Sequence, residues 1–209
     1  MGRRVRRLVV SVAATVGLLA DATGAAADRN DDSTIVLQVT DYARVPREYL
    51  SQAEEHATKI FQAIGVRVQW IHGSNAGEAK AGRLLNVIIL SGSMADLKCQ
   101  ESGIGDSAFG VTAKPTGRAN VFFTRTSAFA TRHYLDGAQL LGSVIAHEVG
   151  HLLLPVHSHS ADGIMRAVWE TPGKQIVTFT REQGVLIRGL LINDRATLSH
   201  DARVPVPQS

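Results

Sequence analysis

Residues 147–165 read HEVGHLLLPVHSHSADGIM, a stretch holding four histidines, one glutamate and one methionine. His147 and His151 are four residues apart. On a helix this spacing puts both imidazoles on one face, one turn apart and within reach of one ion. Glu148 follows the first histidine, and its side chain points about 100° round the helix. It can therefore contact a metal-bound water without being a ligand. Zinc held by three neutral imidazoles keeps a fourth position for water and lowers that water's pKa to about 7. A carboxylate beside it can take the proton and deliver it to a leaving amine. The plain alternative is a helix carrying two surface histidines and a glutamate, with nothing bound. Context favours the metal. His157 lies six residues past His151, and Gly163-Ile164-Met165 follows soon after.

The pattern HExxHxxxxxH closed by a Gly-x-Met turn resembles the metzincin zinc metallopeptidases. It is most similar to the matrixin branch, in which a serine follows the third histidine as Ser158 follows His157. The resemblance implies a Zn2+ cofactor ligated by His147, His151 and His157. Glu148 would be general base and acid, and Met165 of the Met-turn would form the apolar floor. It implies a zinc-dependent endopeptidase that hydrolyses protein or peptide substrates by a Glu-activated zinc-bound water. The fold implied is an α+β metzincin-like zincin. Its mixed twisted sheet of about four to five strands packs on two long helices, with a Met-turn and a C-terminal helix.

The chain also departs from that family. Where a glycine is normal, three residues after the second histidine, it has Leu154 followed by Pro155. Proline disfavours helix at the residue before it and has no N–H to continue the ladder. Pro155 can stop the helix, but along another path. His159, which also precedes a serine, is therefore an alternative third ligand. The loser of the pair is an exposed loop histidine. Many metzincins carry a tyrosine after the Met-turn, where this chain has Arg166-Ala167-Val168-Trp169. Trp169 either lines a pocket or is core. Arg166 reads as a solvated surface arginine, with contact to a substrate carbonyl or carboxylate as the alternative. Latency through a cysteine-switch propeptide is not expected, since Cys99 lies in mid-chain without that motif's neighbours. The single cysteine, Cys99, reads as a buried structural thiol rather than a ligand. Two competing functions stay in view: a non-catalytic metzincin-like zinc module that binds a protein or peptide, and a zinc-scavenging histidine-rich protein. Intact Glu148 and the ordered histidine spacing favour catalysis.

The site needs elements to hold it. Asp136, three residues before Gln139, resembles a capping box. Leu140, Leu141, Val144, Ile145 and Leu152 continue an apolar stripe, which predicts a helix over about 137–153. Upstream, Thr34–Thr40 reads as a strand, and Pro46 opens a helix that stops at Gly65. Val66–Ile71 alternates like a second strand. Arg83–Leu90 is a continuous apolar run suited to a buried strand. Residues 91–107 read as loop. Two short strands near Ala108–Ala113 and Ala119–Thr124 flank Lys114-Pro-Thr-Gly117 and predict a hairpin. Thr180 and Gln183 form another capping box, opening a last helix to about Leu191.

The chain has 209 residues, 44% of them hydrophobic, which suits one domain with a real core. Its first 27 residues differ from the rest. Arg3, Arg4, Arg6 and Arg7 form a basic head, Leu8–Ala20 a short apolar run, and Ala25-Ala26-Ala27 a cleavage site before Asp28. This is the three-part pattern of a secretory signal peptide, with a retained N-terminal anchor as the alternative. The expected organisation is a signal peptide over 1–27, a catalytic domain over 28–200 and a disordered tail over 201–209. The expected location is periplasmic or secreted. The export segment carries four arginines against one aspartate, which accounts for the whole formal charge of +3. The mature chain is near neutral and has no basic stripe with interleaved aromatics. No nucleic-acid partner is expected, nor stable membrane insertion after cleavage, and a monomer is expected.

Overall fold

The apolar runs pair into one five-stranded sheet of order β2-β1-β3-β5-β4. The computed structural model describes residues 33–73, 82–105, 107–167 and 177–201, with side chains described as far as 196. The strands are β1 (Thr34–Asp41), β2 (Arg67–His72), β3 (Arg83–Leu90), β4 (Gly110–Ala113) and β5 (Arg118–Phe122). β1 pairs in parallel with β2 and β3, and β3 pairs in parallel with β5. β4 runs antiparallel along β5, with Thr112 opposite Ala119 and Gly110 opposite Val121. The predicted hairpin is thus present, closed by a 3₁₀ turn over Lys114–Thr116 and by Gly117 at φ +60°. The interior position of β1, between β2 and β3, explains its apolar Ile35-Val36-Leu37 run. Ile35, Val36 and Leu37 are wholly buried, as a strand covered on both faces requires.

The helices are α1 (Arg47–Gln62), α2 (Gly92–Ser102), α3 (Phe123–Arg132), α4 (Gly137–Leu153) and α5 (Arg181–Asp201). α1 and α4 bury facing stripes against the sheet and against each other, through Ala53, Ala57 and Ile60 on one and Leu141, Val144 and Ile145 on the other. Gly142 permits their close approach. A Cβ there would stand 2.3 Å from the carbonyl oxygen of Ala53.

The second capping box forms in full, and the first forms only its N-cap half. The Asp136 carboxylate accepts from the Gln139 N–H at 3.0 Å. Thr180 Oγ1 accepts from the Gln183 N–H, while the Gln183 side chain accepts from the Thr180 N–H. α5 continues ten residues beyond the predicted end, to Asp201.

Two helices differ from the sequence reading. α2 lies within the stretch read as loop. It buries only Ala95 and Cys99, a stripe too thin to stand out among serines and glycines, and it ends at Gly103 in the left-handed conformation. α3 follows β5 with no turn residue between them. Its threonines suggest strand, but Thr126 Oγ1 donates back to the Phe122 carbonyl at 2.9 Å and Thr131 Oγ1 to that of Ser127 at 3.0 Å. Such bonds let threonine sit in a helix. No helix among the described residues is long and apolar enough to cross a membrane. The predicted signal peptide, Trp169 and residues 202–209 of the predicted tail lie outside the described residues.

Candidate metal centre

α4 carries the first two histidines at its C-terminal end, where the helix is buried almost all round. Leu154 stops it. That residue adopts an extended conformation, φ −98° and ψ 161°, while its N–H still donates to the Gly150 carbonyl. Pro155 makes the stop permanent, because its nitrogen has no proton to offer. The Lys114 ammonium donates to the freed Leu154 carbonyl and ties the helix end to the turn after β4.

The imidazoles are oriented by their outer nitrogens. His147 Nδ1 lies 2.8 Å from the Ile164 carbonyl oxygen. A carbonyl can only accept, so Nδ1 carries the proton and Nε2 keeps its lone pair. His151 Nδ1 is 3.1 Å from Ser158 Oγ, which leaves its Nε2 facing that of His147 at 3.1 Å. Two nitrogens bound to one tetrahedral zinc at 2.0–2.1 Å would lie about 3.3 Å apart. The ring of His159 completes the group, with its centroid 4.7 Å from that of His151 and 5.4 Å from that of His147. One ligand nitrogen from each of these three residues falls within a 4.8 Å span. The donor set of three imidazoles, two of them held by their outer nitrogens, fits a zinc-sized ion.

The third member of the group is thus His159 and not His157, which the family spacing favours. The reason is the path after the helix. The family glycine would reverse the chain at position 154, but here Leu154 is extended. The reversal comes instead at His157, whose φ is +63°. His157 is the turn residue. It is exposed at the mouth of the same cleft, and two further residues are needed to bring an imidazole back.

Burial sets the protonation states. The pKa of His151 is depressed to about 4, first by burial and then by His147, His159 and Lys114. That of His147 is lowered by burial, against the opposing bond to Ile164. Both imidazoles are therefore neutral at pH 7, the form that ligates metal. Glu148 is pushed up to about 7 by burial, and a hydrogen bond from Thr112 opposes the shift. Thr112 Oγ1 lies 2.8 Å from Glu148 Oε2 and 2.9 Å from the Glu148 carbonyl oxygen.

Met165 is fully buried directly under α4. A Cβ on Gly150 would stand 2.5 Å from its Sδ, so the glycine between the two histidines makes room for it. The turn carrying Met165 is fixed by backbone bonds, with Ser160 N–H donating to the Met165 carbonyl and Ile164 N–H to that of Thr178. Gly163, at φ +77°, approaches Thr178 too closely for any side chain. Gln183 of α5 donates to Ser160 Oγ at 3.0 Å and secures the loop from below. Arg166 is half-buried beside this turn rather than fully solvated. Cys99 is buried elsewhere, with Leu90, Ala95 and Phe122, and Arg125 donates to its sulfur.

A cleft of about 470 Å³ runs over the three histidines and Glu148, walled by β4 on one side and by Pro155, Val156 and Ala167 on the other. Thr112 and Lys114 are absent from the sequence reading of the site, and nothing local in the sequence marks them, because each acts across a tertiary contact. Ser158 enters that reading only as the residue after His157, not as the partner of His151.

No family model and no curated protein matches the chain. Its fold does resemble solved structures. One is a zinc-dependent peptidase from Methanocorpusculum labreanum, 13% identical with a TM-score of 0.41, the match covering 75% of this chain and 99% of that one. Another is archaemetzincin from Methanopyrus kandleri, 15% identical with a TM-score of 0.41, covering 76% and 95%. These likenesses do not single out the matrixin branch.

Proposed function

We propose that this chain is an exported zinc-dependent endopeptidase, with zinc held by His147, His151 and His159. The observation that carries this reading is the convergence of three imidazoles, two with outer nitrogens already engaged, beside a buried glutamate on the floor of an open cleft. A scavenging protein would need no such cleft. When bound, zinc supplies Lewis acidity, which polarises a peptide carbonyl and acidifies water.

The protein's own residues supply the rest. Ile164 and Ser158 hold two imidazoles in position. Thr112 occupies Oε2 of Glu148, so the other carboxylate oxygen is the one that takes a proton from the attacking water and passes it to the leaving amine. Met165 and the apolar wall keep the floor dry. The basic head, apolar run and alanines before Asp28 support export.

The test is cleavage of a quenched peptide library by the purified mature protein, alongside metal analysis. The expected result is one zinc per chain, cleavage that stops with a chelator and returns with zinc, and a Glu148→Gln variant that keeps its zinc but loses about 10²–10⁴-fold in rate. Zinc binding with no hydrolysis of any peptide would make the protein a non-catalytic module. N-terminal sequencing of exported material that retained Arg3–Arg7 would refute the export reading.

A further inference from the structure

We propose that Gly110 and Thr112 form a cradle on β4 that positions the Glu148 carboxylate, with Thr112 a positioning residue for the general base. The functional part of this rests on the peptidase reading above. Residues two apart on a strand face the same side. Gly110 and Thr112 both face α4, and they treat Glu148 in complementary ways. At Gly110 a Cβ would stand 2.7 Å from Glu148 Cγ and 2.8 Å from Cδ, so only glycine leaves room for the glutamate's stem. The backbone cannot shift to make that room, because the same Cβ would lie 2.6 Å from the Asn120 carbonyl oxygen on β5. Two residues on, the Thr112 hydroxyl reaches both the main-chain carbonyl and Oε2 of Glu148.

A threonine hydroxyl has one proton to give. Sharing it between the backbone and the side chain of one residue fixes the side-chain torsions between them. Among the described residues, Thr112 is the one hydrogen-bond partner of the carboxylate, and it takes Oε2. The other oxygen is left for the cleft. Glu148 is only 6% exposed, so water is a poor substitute for that hydroxyl. Loss of the hydroxyl should free the carboxylate to turn without changing the metal ligands, which lie on other atoms.

Thr112→Val keeps the branched shape and removes only the donor. Zinc-loaded Thr112→Val should lose about 10–100-fold in kcat, the range for removing a partner that orients a catalytic group. KM should stay within about twofold, since substrate binding is untouched. Zinc affinity should match wild type, Tm should fall modestly because a buried carboxylate oxygen loses its partner, and Thr112→Ser should recover most of the rate and of the Tm. A crystal structure of Thr112→Val should show the Glu148 carboxylate displaced or in more than one rotamer. If the valine variant folds poorly, Thr112→Ala is read the same way. Wild-type kcat in the variant, or a Glu148 carboxylate unmoved in its crystal structure, overturns the proposal. If the wild-type protein cleaves no peptide, the peptidase reading fails, while the crystal comparison still decides the cradle.

Discussion

The imidazole of His159 stands with its centroid 4.7 Å from that of His151, whereas His157, two residues closer in sequence, is spent on the turn. The two histidines should therefore respond oppositely to substitution. His159→Ala should bind zinc far more weakly and lose activity. His157→Gly should keep its zinc. It should also be as stable as wild type or about 1 kcal/mol more stable, because a left-handed conformation costs a side chain roughly that much and glycine nothing. Metal content and thermal midpoints of both variants, measured together, decide it. A zinc-depleted His157→Gly would restore the family spacing.

Helix packing behind the site gives a second prediction. Gly142→Ala forces a methyl against the Ala53 carbonyl at 2.3 Å and His56 Cβ at 3.0 Å. The first of these is backbone, so α1 and α4 must part. Overpacking of this kind costs about 1–3 kcal/mol. Gly189→Ala on exposed α5 meets nothing within 4 Å and serves as the control. It should be neutral or stabilising by about 0.5–1 kcal/mol, since alanine is the better helix former. Equal midpoints for the two variants would contradict the close approach.

His56 provides a pH-dependent prediction away from the metal. Its Nε2 lies 3.1 Å from Ser143 Oγ and links α1 to α4. Burial, with Lys59 adding to it and Asp136 opposing, depresses its pKa below the ordinary 6.5. The folded state thus binds fewer protons at this site than the unfolded chain, and acid favours unfolding. The contribution is fully present above about pH 6.5 and is lost as pH falls through that value toward the folded pKa. His56→Gln has no proton to gain there. Between pH 7.5 and 5.5 the wild type should lose more stability than the variant. The metal-site histidines titrate in both proteins and cancel in the difference. Parallel denaturation curves at the two pH values would remove His56 from the account.

α4 was legible because several local signals coincide: an Asp136 cap, a five-residue apolar stripe and a proline stop. Arg83–Leu90 was legible for a similar reason, since an interior strand that buries Leu85, Val87, Ile89 and Leu90 is rich in apolar residues, although Leu84 is exposed. α2 was not, because two buried residues are too few to form a pattern. The third histidine was only half legible. The sequence showed that Leu154-Pro155 breaks the family turn and that His159 competes. Which residue would absorb the reversal depends on backbone geometry at His157 and on the Lys114 tie to Leu154, a contact spanning 40 residues. The Thr112 bond to Glu148 spans 36 residues, and a threonine on a strand announces nothing by itself.

Ser158 carries the last prediction. It sits one residue before His159, and its hydroxyl is the partner of His151 Nδ1 at 3.1 Å. In the family pattern the serine following the third histidine would be Ser158 if His157 were the ligand. Here that position falls to Ser160, which bonds instead to the Asp162 carbonyl and to Gln183. Ser158 is thus free to orient the second imidazole. Groups that hold a ligating histidine typically contribute 10–100-fold in metal affinity. Ser158→Ala should weaken zinc binding by about that factor, as measured by competition with a chelating dye. The metal-free protein should melt at the wild-type temperature, because the serine is only half-buried and fills no core position. Unchanged zinc affinity would mean that packing alone orients His151, leaving Ser158 an ordinary loop residue.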